Sequence, residues 1–217
     1  MTRSKAEVLQ EYGPFPGVER VTGVTFDGEQ VWFGSKKKLN ALDPASGKVT
    51  RSLDISAYAG TAFDGKHLYQ MSEGTIRKID PKTGQVVTTI PAPAKGGDSG
   101  LAWAEGTLWV GHYEARKIYQ IDPQTGAILR TLESNRFVTG VTWVDGELWH
   151  GNLEDGESEL RRIDPQTGEV LENLEMPKGM LVSGLESDGG DRFFCGGDLN
   201  GKIRAVRRPR RVSTPGK

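Results

Sequence analysis

The sequence predicts an all-β protein, a five-bladed β-propeller with four antiparallel strands per blade. Three observations support this fold class: a segment that recurs five times at intervals of about forty residues, Asp-Pro turns at matching places in four copies, and no sustained helical periodicity. Compact four-stranded units at this period are typical of propellers, in which each sheet packs its faces against neighbouring sheets.

Each copy reads as four short strands in order. The copies begin near residues 21, 58, 98, 138 and 182, and each first strand contains one glycine of the set Gly23, Gly60, Gly100, Gly140 and Gly184. In the first copy, Asp27-Gly28 predicts a hairpin turn before the aromatic second strand VWFGS. A third strand, KLNALDP, ends in a turn with Pro and Gly in their usual roles, and KVTRSLDI alternates as a fourth strand. The equivalent turns begin at Asp43, Asp80, Asp122 and Asp164.

The two ends of the chain complement each other. The fifth copy stops after its third strand, and residues 6–13 resemble the outer strand that it lacks. We therefore predict that Val8 to Tyr12 pair with Lys202 to Val206, which closes the ring and removes an exposed edge. Residues 1–209 are expected to form a single domain, followed by a flexible basic tail at 210–217.

Composition narrows the function classes. With 28 Lys and Arg against 29 Asp and Glu, the formal charge of -1 gives no reason to expect binding to nucleic acid or to a membrane. The arginines at 204–211 have two explanations. They could contact RNA or an acidic partner, or their charges could protect an edge strand from pairing with other chains. A lone cysteine, Cys195, excludes an intramolecular disulfide. No apolar run approaches the ~20 residues that span a bilayer, and no signal peptide is recognisable, so a cytoplasmic location is expected.

Positions that differ between the copies indicate the functional face, because the scaffold positions repeat. In a propeller the first strands line a central channel, and we call the residues that lead into them the channel mouth. These are Val21-Thr22, Tyr58-Ala59, Asp98-Ser99, Val138-Thr139 and Val182-Ser183. After each second strand, the first aligned column holds Ser35, Ser72, His112, Asn152 and Gly197. The second column holds Lys36, Glu73, Tyr113, Leu153 and Asp198, and the third holds Lys37, Gly74, Glu114, Glu154 and Leu199.

Acid–base chemistry is the first hypothesis for this face. His112 with Glu114 or Asp98 would suit proton transfer, because a carboxylate can orient an imidazole that titrates near neutral pH. We predict His112, Tyr113 and Glu114 as catalytic residues. The predicted substrate-binding residues are Glu73, Asp98, Ser99, Asn152, Glu154, Lys36 and Tyr58. A solvated loop histidine explains His112 equally well.

Two kinds of ion site also fit the same columns. Glu73, Asp98, Glu154 and Asp198 offer the oxygen ligands that Ca²⁺ or Mg²⁺ prefers, although surface carboxylates have the same composition. Lys36, Lys37 and Lys38 offer an anion site, and a solvated lysine-rich face explains them as well. Trp32, Tyr69, Trp109, Trp149 and Phe194 share one second-strand slot and are interpreted as core. His150 and Cys195 share the next slot with Phe33, Gln70 and Val110, and are interpreted as buried structural residues.

The repeat LWxGxxxxxxIxxIDPxTGxVL resembles those of the plant- and bacterial-type glutaminyl-peptide cyclotransferases, the virginiamycin B lyases and the YncE-like proteins. LYQMSEGTIRKIDPKTG, at residues 68–84, is most similar to the cyclotransferases. That resemblance implies conversion of an N-terminal glutamine to pyroglutamate by a channel-facing glutamate, and Phe33 stands at the matching position. The lyase resemblance implies a His-centred, Mg²⁺-assisted elimination, with His112 or His150 in that part.

The sequence therefore leaves two functions open. The first is an enzyme or binder for a small molecule or a peptide N-terminus, which acts at the channel mouth by cyclisation or elimination. Such an enzyme would need no organic cofactor, and a divalent cation (Ca or Mg) at the channel remains an option. The alternative is a non-catalytic scaffold that binds a protein partner.

Overall fold

A computed structural model describes residues 1–94, 96–197 and 201–209. Its strands are numbered here in chain order. Two strands precede the first blade, β1 (Thr2–Lys5) and β2 (Val8–Tyr12). Blade 1 contains β3 (Val24–Phe26), β4 (Val31–Gly34), β5 (Leu39–Asp43) and β6 (Lys48–Leu53). Blade 2 contains β7 (Thr61–Phe63), β8 (Leu68–Ser72), β9 (Thr75–Ile79) and β10 (Val86–Pro91).

The remaining blades follow the same plan with longer inner strands. Blade 3 contains β11 (Asp98–Ala104), β12 (Thr107–His112), β13 (Lys117–Ile121) and β14 (Ile128–Glu133). Blade 4 contains β15 (Phe137–Val144), β16 (Glu147–Glu154), β17 (Glu157–Ile163) and β18 (Val170–Glu175). Blade 5 contains β19 (Gly184–Ser187), β20 (Arg192–Gly197), β21 (Lys202–Arg207) and the N-terminal β2. The predicted all-β, five-bladed propeller with four antiparallel strands per blade is confirmed.

The N-terminal strand closes the ring as predicted. Strand β2 is antiparallel to β21, with Tyr12 opposite Ile203 and Glu11 opposite Arg204. The Tyr12 side chain is buried against Phe194, and its hydroxyl donates to the carbonyl of Pro44 in blade 1 at 3.2 Å. Closure therefore joins the last blade both to the N-terminus and to the first blade.

Strand β1 was not predicted from the sequence. This strand adds a fifth member to blade 4 by pairing in parallel with β18, with Arg3 opposite Asn173. All four of its residues are exposed, so it has no alternation of apolar and polar residues by which it could be recognised. The N-terminal segment thus straps blade 4 to blade 5.

The five repeated glycines form a closed ring around the axis. A Cβ on Gly140 would lie 2.3 Å from the backbone nitrogen of Leu185 in the next blade, and one on Gly60 would lie 2.4 Å from that of Leu101. The other three meet the next blade's backbone at 2.4–2.8 Å in the same way. Glycine is required here because the inner strands approach each other backbone to backbone.

The Asp-Pro turns clamp neighbouring blades together. The Asp164 carboxylate accepts from the backbone N–H groups of Gln166 and Thr167, and Arg130 of blade 3 donates to the Pro165 carbonyl at 2.7 Å. Blade 5 lacks this turn. There the buried Arg208 contacts Asp145 of blade 4 at 2.7 Å.

Core assignments from the repeat hold in the structure. The aromatic second-strand slot is buried in all five blades, and so are His150 and Cys195. Other basic residues of the C-terminal run have local partners: Arg204 pairs with Glu11, and Arg207 with Glu7. The predicted tail, residues 210–217, lies outside the described residues. Among those described, no helix has the length and apolar character needed to cross a bilayer.

Candidate functional site at the channel mouth

A cavity of about 360 Å³ opens where the inner strands begin. Every blade contributes to it. Its lining consists of Arg20, Thr22, Tyr58, Ala59, Asp98, Ser99, Tyr113, Thr139, Leu153, Leu181, Val182 and Ser183. The cavity therefore coincides with the channel mouth, and the glycine ring forms its floor.

Asp98 is the one carboxylate in this lining. It starts β11 opposite His112 of β12, and a register shift between Asp98 and Leu101 separates this pair from the rest of the ladder. Both carboxylate oxygens are buried without a hydrogen bond of standard geometry to any described residue. Burial raises the pKa of Asp98 to about 7, and the backbone N–H of Ala94 offsets this only in part. The carboxyl can therefore both take up and release a proton near neutral pH.

Hydroxyl groups surround the cavity at one repeated position. Thr22 and Ser99 each donate to a carbonyl of the next blade at 2.7 Å, and Ser183 donates to the Val21 carbonyl. The fourth member, Thr139, has a buried hydroxyl without a partner in the described part of the chain. Thr139 and Asp98 thus leave buried hydrogen-bonding capacity at the mouth, which a bound molecule could satisfy.

One wall of the cavity is aromatic and rigid. Tyr113 stacks on Phe137 with ring centroids 4.7 Å apart, and the Arg116 guanidinium lies 4.2 Å from the centroid of Phe137. Arg116 also pairs with Glu154 at 3.1 Å. Tyr58 lines the cavity from blade 2 with 48% of its surface exposed. The phenol rings offer flat apolar faces with a polar end, as ligand sites often do.

The structure gathers only part of the predicted site. Tyr58, Asp98, Ser99 and Tyr113 line the cavity, and Glu154 fixes the aromatic wall through Arg116. The second aligned column supplies Tyr113 and Leu153 to the lining, whereas the first and third columns supply none of their described members. Consecutive side chains alternate in direction, so one column faces the mouth and its neighbours face away.

The other predicted catalytic residues lie outside the lining. His112 packs against Gly97, and its Nδ1 accepts from the backbone N–H of Ala115 at 3.0 Å. This bond fixes His112 in the turn after β12. Glu114 is exposed and has no bond to a described residue.

Three predicted substrate-binding residues also have partners elsewhere. Asn152 is buried and donates to Glu159 at 3.3 Å. Lys36 pairs with Glu19 at 3.2 Å, and Glu73 approaches Arg77 at 4.0 Å.

The residues proposed for a cation do not converge within the described part of the chain. No three His, Cys, Asp or Glu side chains come together there as metal ligands. Glu73 and Glu154 each face an arginine, while Asp98 stands apart from both. The fourth candidate, Asp198, lies outside the described residues.

Glu186 is a second unusual carboxyl that sequence reasoning missed. It lies two residues after Gly184, on the far side of the glycine ring from the mouth. Thr25 donates to it at 2.7 Å, and Thr142 also donates to it. Some of its surface is accessible, yet protein surrounds it, and this burial raises its pKa to about 7 against the opposing effect of the two threonines. Its aligned column holds Thr25, Ala62, Ala102 and Thr142 besides Glu186, so one charged residue in that column was the available signal.

Residues 17–187 match the family model described as Domain of unknown function (DUF5074). The chain belongs to this family. No curated protein matches the chain significantly.

Among solved structures, the chain is similar to glutaminyl cyclase from Myxococcus xanthus, with a TM-score of 0.77 and 19% identity over 95% of this chain and 97% of that one. It is also similar to hydrazine synthase from Kuenenia stuttgartiensis, with a TM-score of 0.52 and 18% identity over 82% of this chain and 55% of that one. At these identities the likeness shows the propeller fold alone.

Phe33 bears on the resemblance to cyclotransferases. The resemblance assigns its position to a channel-facing glutamate, but Phe33 is fully buried and stacked on Phe15 with centroids 4.8 Å apart. The equivalent position in this chain is therefore apolar core. The carboxylate at the mouth comes from Asp98 in blade 3 instead.

Proposed function

We propose that the protein is an acid–base enzyme whose channel mouth binds a small polar molecule or a peptide N-terminus, with Asp98 as the group that transfers the proton. One observation carries the proposal. Asp98 is a carboxyl whose buried oxygens have no side-chain partner among the described residues, and it lines a cavity of about 360 Å³ that opens to solvent. A carboxyl that titrates near pH 7 holds and releases protons under the conditions in which an enzyme works.

The other lining groups suit a polar substrate with a flat body. Arg20 lies exposed at the rim and offers a positive charge, and the hydroxyl of Thr139 offers a hydrogen bond inside. Tyr58 and Tyr113, from adjacent blades 2 and 3, contribute apolar ring faces to the lining. A substrate with an amine or amide near Asp98 and an acceptor near Arg20 would satisfy all of these groups.

The likeness to glutaminyl cyclase makes intramolecular aminolysis the first reaction to test. In that reaction the α-amine of an N-terminal glutamine attacks its side-chain amide carbon. A C–N bond forms, the old C–N bond breaks, and ammonia leaves. Asp98 would take the proton from the attacking amine and return it to the leaving nitrogen, so atoms and charge balance without an organic cofactor.

The test is an ammonia-release assay with an N-terminal glutamine peptide, followed by a panel of small amides and amines. We expect turnover by the wild type and a loss of at least a hundredfold in kcat for Asp98→Asn, the range typical of general acid–base groups. His112→Ala and Glu114→Gln are expected to keep most of the activity. Loss of activity in these two variants, with Asp98→Asn unaffected, would reject the assignment.

The scaffold alternative has an observation of its own. Outer strands β10 and β14 expose adjacent aliphatic pairs, Val86 with Val87 and Ile128 with Leu129, each 48–57% exposed. Exposed apolar patches often mark contacts with other proteins. No response to any small molecule, together with a partner whose binding is lost in Val87→Glu or Leu129→Glu, would favour this function.

A further inference from the structure

A second cavity of about 360 Å³ lies between blades 3 and 4. It shares no lining residue with the cavity at the channel mouth. One side is formed by the end of β14 and the residues that follow it, including Ser134 and Asn135. The other side is formed by blade 4, where Ile163 and Val170, which are opposite each other in β17 and β18, form one apolar wall beside His150. None of these residues takes part in the proposed reaction.

His150 is the chemically distinctive group of this cavity. Its side chain is 1% exposed, and its Nδ1 lies 3.0 Å from the Gly151 carbonyl oxygen. A carbonyl can only accept, so Nδ1 carries the hydrogen and Nε2 carries the lone pair. No described residue bonds to Nε2. Burial lowers the pKa of His150 to about 4, so the ring is neutral at physiological pH.

A donor completes the polar lining. The Oδ1 of Asn135 accepts from Arg161 at 2.6 Å, which orients the amide and leaves Nδ2 without a partner among the described residues. Ser134 is already committed, since its hydroxyl donates to the Arg136 carbonyl and accepts from the Arg136 N–H. The cavity therefore offers one acceptor on a buried ring, one donor near the surface and one apolar wall.

We infer that this cavity is a second ligand site, which takes a small neutral aromatic molecule whose O–H or N–H donates to Nε2 of His150. The ring of such a ligand packs against Ile163 and Val170, and an acceptor on its outer edge can reach the Asn135 amide. A buried polar group without a partner favours a ligand that supplies the missing bond over one that cannot.

Phenol is the probe, and anisole is its matched control because it has the same ring without the donor. The protein has three histidines, so the side-chain ¹⁵N spectrum of the full chain resolves His150 from His67 and His112. We expect phenol to shift the His150 Nε2 resonance in a saturable, millimolar titration, with little change at the other two. Anisole is expected to bind about tenfold more weakly.

The variant His150→Phe tests the same bond from the protein side. Blade 1 carries Phe33 in the equivalent slot, so the fold has a precedent for this side chain. Backbone amide signals of Ile163 and Val170 report binding in the variant, and phenol is expected to bind about tenfold more weakly there. His67→Gln serves as the control and should bind like the wild type.

Two results would overturn the inference. The first is equal binding of phenol and anisole to the wild type, which needs no variant and would exclude a hydrogen bond to His150. The second is a phenol response confined to amides of the channel mouth, such as Ser99 and Thr139. Neither outcome depends on catalysis, so the inference stands or falls separately from the proposed function.

Discussion

Replacing Asp98 with asparagine should stabilise the fold while it abolishes activity. The carboxyl titrates near pH 7 in the folded protein and near 3.8 in an exposed chain. Since the folded pKa is the higher one, the folded state holds the proton more tightly, and wild-type stability falls as pH rises from about 4 to about 7. The neutral amide of Asp98→Asn has no charge to bury and escapes this loss.

The magnitude follows from the difference in pKa. About three units at 1.36 kcal/mol each give an upper limit of about 4 kcal/mol at pH 8. The cavity is open to water, which reduces the cost of the charge, so we expect about 2 kcal/mol. For a chain of this length, that corresponds to a melting temperature roughly 4–8 °C higher at pH 8 and unchanged near pH 4.

Thermal melts at pH 4, 6 and 8 measure this difference directly. Glu114→Gln is the matched control, because it removes one carboxylate from the exposed turn nearby and should change stability by less than about 0.5 kcal/mol at any pH. Equal melting of Asp98→Asn and the wild type at pH 8 would refute the reasoning. It would mean that Asp98 is a solvated carboxylate, and the argument for proton transfer at neutral pH would lose its basis.

Three further predictions test the scaffold and the axis. Gly140→Ala should cost about 3 kcal/mol in urea unfolding, because its Cβ would meet backbone at 2.3 Å, whereas Gly190→Ala, where the nearest atom is a side-chain oxygen at 3.3 Å, should cost less than about 1 kcal/mol. Deleting residues 1–12 should open blade 5 and lower the melting temperature far more than deleting residues 1–5; equal losses would deny β2 its closing role. Glu186→Gln should raise stability at pH 8 by about 2–3 kcal/mol and leave it unchanged at pH 4. A variant that is less stable at both pH values would show that the carboxylate itself is needed.

The fold could be predicted because its requirements recur in the sequence. Five glycines at one aligned position reflect the close approach of inner strands, and a missing outer strand in the last copy reflects closure by Val8–Tyr12. Strand β1 could not be predicted in this way. Its residues are all exposed, and apart from the ion pair of Arg3 with Glu175 they join β18 through backbone pairing, which leaves no mark on side-chain type.

The site was harder to predict than the fold for a geometric reason. Alignment of the copies located the channel mouth and so found Tyr58, Asp98 and Ser99. The alignment could not show which way successive side chains point after the second strand. There the His112 ring accepts a hydrogen bond from the backbone N–H of Ala115, while Tyr113 lines the cavity. Whether a carboxylate has hydrogen-bond partners depends on neighbouring residues from other blades. The sequence of one repeat does not show those neighbours.

The contrast between Asp98 and Glu186 shows why that last distinction matters. Burial raises the pKa of both carboxyls to about 7, so pKa alone does not separate them. The carboxylate oxygens of Glu186 accept hydrogen bonds from Thr25, Thr142 and the backbone N–H of Ser187. The two threonines belong to blades 1 and 4, so these bonds connect blade 5 to the blades on either side. Asp98 accepts from no side chain in the described part of the chain, where only the backbone N–H of Ala94 approaches it, and it lines an open cavity. Carboxylate oxygens that other described side chains leave unused can accept hydrogen bonds from a substrate, and for this reason we propose Asp98 rather than Glu186 as the acid–base group.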